Sequence, residues 1–136
     1  MRETKVSTFA VNLQADAVGS SLDDGYLHVY GDAKPASCDI APADIPLATL
    51  RFGLPAFNPA VNGVILSLPL TPDTNTSGGK DAVWFRASTV SGDSVFDGTV
   101  GLTGGDEGNL NINESLTVQP GGELHIGSVA YRVVSP

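Results

Sequence analysis

Residues 82–101, AVWFRASTVSGDSVFDGTVG, constrain this chain more than any other stretch. Val83, Phe85 and Ala87 alternate with Trp84, Arg86 and Ser88, the period of two that sends successive side chains to opposite faces of a strand. Ser91-Gly92-Asp93 supplies turn chemistry, and Val95 and Phe96 open a second extended run reaching Val100. The segment predicts a β-hairpin and sets the class as β.

The rest of the chain is punctuated in the same way. Residues 4–22 hold the one plausible helix. Phe9, Leu13, Val18 and Leu22 recur near helical spacing, with Ala10, Ala15 and Ala17 adding propensity. Ser7 or Thr8 offers a cap and Gly25 an end, although residues 5–13 also fit an opening strand. Strands are expected over 26–30, 47–52, 64–70, 110–118 and 124–134, with Asn62-Gly63 as a turn signal before the third of these. Pro35, Pro42 and Pro46 make residues 32–46 a loop, and residues 72–81 and 101–108 read as polar, glycine-rich loops. About seven or eight strands between turn signals predict one domain, residues 1–136. It is an all-β, jelly-roll-like β-sandwich with one short N-terminal helix.

Length and charge narrow the function classes. A chain of 136 residues buries roughly 68–70% of its unfolded surface and needs no disulfide or metal to hold a core. Charged residues make up 16% of it, and the net charge is −8. No Lys or Arg lies between Arg86 and Arg132, whereas Asp93, Asp97, Asp106, Glu107, Glu114 and Glu123 do. Such a surface repels phosphate backbones and anionic bilayers, so no direct nucleic acid or membrane partner is expected. The acidic excess serves solubility or meets a basic partner surface. The single cysteine, Cys38, forms no intrachain disulfide. Met1-Arg2-Glu3 does not open a signal peptide, and no run approaches the roughly 20 apolar residues of a membrane span. Synthesis in a cytoplasm is the expectation.

No motif motivates an enzyme, a metal or a cofactor. His28 and His125 each sit among apolar strand neighbours, without the spacing or the cysteine partners of a zinc site. Asp106, Glu107, Asn109, Asn111, Asn113 and Glu114 offer oxygen ligands but not the ordered calcium loop, so a solvated loop is the simpler reading. In Ser77-Gly78-Gly79-Lys80-Asp81, Thr74 replaces the upstream glycine of a phosphate loop and Asp81 replaces its Ser or Thr. There is no GxSxG elbow, and Cys38 has no histidine nearby in sequence. Trp84 is expected in the core rather than on a carbohydrate platform, and Arg86, on its face, should stack on it or pair with a carboxylate.

Several packing and turn motifs carry a family resemblance. They are Tyr30-Gly31-Asp32-Ala33-Lys34-Pro35, Leu47-Ala48-Thr49-Leu50 with Pro55-Ala56-Phe57, Ala82-Val83-Trp84-Phe85-Arg86-Ala87, and Val95-Phe96-Asp97-Gly98-Thr99-Val100-Gly101. In order and spacing the chain resembles the cement, or capsid decoration, proteins of tailed phages over most of its length from Tyr26. The resemblance implies a jelly-roll-like homodimer in the virion, assembled in the host cytoplasm. Its partner would be the major capsid protein, and it would clamp capsid subunits on the outside of an icosahedral head. A phage tail or adsorption protein and a carbohydrate-binding module are the competing readings.

The resemblance carries over no contact residue. The candidates for capsid or dimer contact come instead from segments able to order on a partner. They are Phe9 and Leu13 in the N-terminal segment, Lys34, Pro35, Ile40 and Pro42 in the proline loop, and Asp106 and Glu107 in the acidic loop.

Overall fold

The computed structural model describes residues 5–102, 110–112 and 116–133. The protein is an all-β, sandwich-like fold with one helix, α1 (Thr8–Ser21). Nine strands fall within the described residues: β1 (Tyr26–Tyr30), β2 (Ala48–Arg51), β3 (Val64–Leu66), β4 (Lys80–Asp81), β5 (Trp84–Ser88), β6 (Ser94–Leu102), β7 (Leu110–Ile112), β8 (Thr117–Val118) and β9 (Ala130–Arg132).

The expected hairpin lies at the centre of the main sheet, whose order is β2-β1-β5-β6-β7. β5 pairs antiparallel with β6 and with β1, and β1 with β2, while β6 and β7 run parallel. Leu27, Val29, Leu50, Phe85 and Ala87 point to one face and enter the apolar core. All five residues of β5 are buried, including those on the other face, which alternation alone would leave wet. On that other face the 32–46 loop lies against Trp84 and Arg86, through Asp32 and Ile40.

A second layer closes the core. β3 pairs with β9, and the pairing continues past both strands through hydrogen bonds from Ser67 N to Val129 O and from Leu70 N to Ile126 O. The expected strands 64–70 and 124–134 are thus present as paired but broken runs. Pro69 has no N–H to donate, and such interruptions shorten the regular ladder. Single antiparallel bridges, Arg51 with Thr71 and Leu110 with Val129, tie this layer to both margins of the main sheet. The expected strand 110–118 is divided between β7, on β6, and β8, which pairs with β4 in a stretch expected to be loop.

Residues 5–13 are not a strand. The Ser7 hydroxyl accepts a hydrogen bond from Ala10 N at 3.1 Å, capping the helix start. Ala15, Gly19 and Leu22 are buried by the helix packing against β3. Gly25 ends the turn that follows. A side chain there would collide with the Ser88 carbonyl. Asn62 and Gly63 both have positive φ, as a two-residue hairpin turn requires, and Gly63 N donates to Asn12 Oδ1 at 2.8 Å.

Candidate interaction surfaces

Two surface regions flank the sandwich. The first lies under the 32–46 loop. Trp84 is fully buried, stacks on Tyr30 with ring centroids 4.4 Å apart, and donates Nε1–H to Asp32 at 3.0 Å. Two residues along β5, Arg86 donates to both carboxylate oxygens of Asp97 and to the Ile40 carbonyl at 2.7 Å. Its guanidinium also lies over the Trp84 ring, 5.4 Å from the centroid. Stacking on Trp84 and pairing with a carboxylate therefore both occur. The hydrogen bond to Asp97 holds the Arg86 pKa above its ordinary value.

Cys38 completes this region, its thiol donating to Asp97 Oδ1 at 3.4 Å. Burial pushes the Cys38 pKa up, and Asp97 adds to the effect, so the group is held as a thiol rather than a reactive thiolate. Farther along the loop, an exposed ion pair joins Asp44 to Lys80 at 3.0 Å. The proline loop is therefore a fastened cover and not a free arm. The acid–base pair beneath it is nearly buried, its side chains 5% and 8% exposed.

The second region is the α1 side. Phe9 is 73% exposed and Leu13 54%, although both lie on a helix whose other face is locked into the fold. Their spacing of four places them on one stripe. At the other end of the helix, a groove of about 310 Å³ runs between α1 and residues 55–59, floored by Phe57 and Ile65. Asp16 and Asp23 line it, and each accepts one hydrogen bond of 2.8 Å from the facing chain, from Ala60 N and Ala56 N respectively.

The sequence-derived contact candidates separate on this scaffold. Phe9 and Leu13 lie on α1 beside the β3 layer, whereas Lys34, Pro35, Ile40 and Pro42 lie in the loop on the opposite side of the main sheet. Lys34 and Ile40 are exposed, and Pro35 and Pro42 are half-buried. Asp106 and Glu107 fall outside the described residues. Asp97, counted in sequence among the surface acids, is instead paired and nearly buried.

Sequence reasoning missed the groove, because nothing in the spacing of Asp16 and Asp23 shows that residues 55–59 fold back beside them. The histidines have separate neighbours: His28 Nδ1 lies 3.1 Å from Thr49 Oγ1, and His125 Nε2 lies 3.0 Å from Glu123. Burial lowers the His28 pKa. Among the described residues no group of three His, Cys, Asp or Glu side chains is placed to hold a metal ion, and no helix is long and apolar enough to cross a membrane. Comparison with protein-family models, with curated proteins and with solved structures finds no match to this chain.

Proposed function

We propose that this chain is a structural virion protein that binds the outer surface of an icosahedral phage head and cements neighbouring major capsid subunits. The family resemblance motivates the reading, and the observation that carries it is the outward stripe of Phe9 and Leu13 on α1. Large apolar side chains displayed on a firmly docked helix suit a surface that another protein covers. Covering them contributes about 1.5–3 kcal/mol for each side chain fully buried.

Cementing needs no chemistry beyond that. A copy bound across a subunit junction adds its own interface to the work of separating the subunits, so occupancy stabilises the shell by mass action. A homodimer doubles the attachment points and raises avidity without any new kind of contact. A surface already formed before binding suits this role, because little conformational entropy is lost on it.

The test is co-sedimentation of the purified chain with expanded heads stripped of it. Saturable binding at a fixed ratio to the major capsid protein is expected. Failure to bind heads would overturn the reading. Binding to isolated tails instead would favour a tail or adsorption protein.

A further inference from the structure

The groove between α1 and residues 55–59 has features that its part in the fold does not use. Asp16 and Asp23 each use one carboxylate oxygen to hold a loop amide, and among the described residues neither accepts another hydrogen bond. A carboxylate has room for about four. The floor between them is apolar: Phe57 and Ile65 are buried, Pro55 and Pro59 stand at the side, and Gly19 lets the helix approach so closely that a Cβ there would sit 3.2 Å from Ile65 Cδ1. No basic side chain lines the groove.

Asp16 lies on α1 and Asp23 two residues past its end, and both line the groove. In an extended chain the side chains of residues i and i+2 share one face and lie about 7 Å apart. Phe9 and Leu13 lie on the adjoining stripe of the same helix, one to two turns before Asp16, so the groove opens beside an exposed apolar surface. That continuity favours a macromolecule over a small solute.

We propose that this groove docks an extended basic segment of a partner protein, with one arginine side chain at Asp16 and a second at Asp23. Guanidinium forks match carboxylates geometrically, and their aliphatic stems lie well on proline and aromatic surface. The net charge of −8 adds a long-range pull on such a segment. The site does not require that partner to be a capsid subunit, so it stands or falls apart from head binding.

The test is titration of the full ¹⁵N-labelled chain with the acetylated, amidated tripeptide RLR, following the amides of Ala56 and Ala60. Both signals should shift and saturate. Replacing both arginines of the peptide by uncharged citrulline should weaken binding about tenfold or more, the scale of losing a charged hydrogen bond. Asp16→Asn with Asp23→Asn should weaken RLR binding equally. Asparagine keeps an acceptor for each loop amide, so slow hydrogen exchange at Ala56 and Ala60 should persist and show an intact fold. Equal binding of the citrulline peptide, equal binding by the double variant, or no saturable shift would overturn the proposal. Tighter binding of spermidine than of RLR would also overturn it, as the mark of a small-polyamine site.

Discussion

Arg86 and Asp97 face each other across β5 and β6, joined by hydrogen bonds of 2.6 and 2.9 Å, with their side chains 5% and 8% exposed. Both charges are out of water, and each is satisfied mainly by the other. Asp97→Ala would leave a buried guanidinium without its counter-charge, a loss of about 3–5 kcal/mol. Replacing both by well-packed apolar residues should cost less than either single change, and urea unfolding of the singles and the double checks this. Arg86 also holds the Ile40 carbonyl. Amide exchange in residues 37–40 should therefore accelerate in any Arg86 variant that still folds.

Trp84 lies beneath the same cover, fully buried. Trp84→Ala should destabilise the fold by about 3–5 kcal/mol, seen as a lower urea midpoint. Because the ring is sealed by Tyr30 and Asp32, added mono- and disaccharides should leave the fluorescence of the native protein unchanged. Quenching by sugar would revive the carbohydrate-binding reading.

Phe9→Glu with Leu13→Glu tests the proposed head-binding stripe. Both side chains are exposed, so thermal unfolding should change by no more than about 0.5 kcal/mol. Binding to heads should fall by at least about tenfold. Unchanged binding would move the contact surface elsewhere.

His28 supplies a pH dependence with a definite sign. Burial lowers its pKa in the fold below the ordinary 6.5, so the unfolded chain binds the proton more readily. The contribution of neutral His28 to stability is full above pH 6.5 and declines as the pH falls from there through the lowered value. His28→Gln should remove this component. The difference in stability between the native protein and the variant should change over that window and level off below it. A difference that does not vary with pH would contradict the assignment.

The hairpin, the strand 26–30 and the turn at Asn62-Gly63 were legible because local alternation and turn chemistry specify them. The sandwich-like class followed from strand number. The burial of Trp84 and the pairing of Arg86 were legible, but the loop that covers them, more than forty residues earlier, was not. The broken runs around β3 and β9 were read as longer strands, because apolar pattern marks pairing but not its interruptions. At the candidate surfaces, the helix that carries Phe9 and Leu13 could be read from sequence, but where it docks could not. The groove at Asp16 and Asp23 arises entirely from tertiary packing.

The identity proposed for the chain is best decided by its copy number in purified virions, measured by quantitative mass spectrometry against the major capsid protein. The cement reading predicts a ratio near unity or a simple fraction of it, meaning hundreds of copies per particle. A handful of copies, or none, would contradict it.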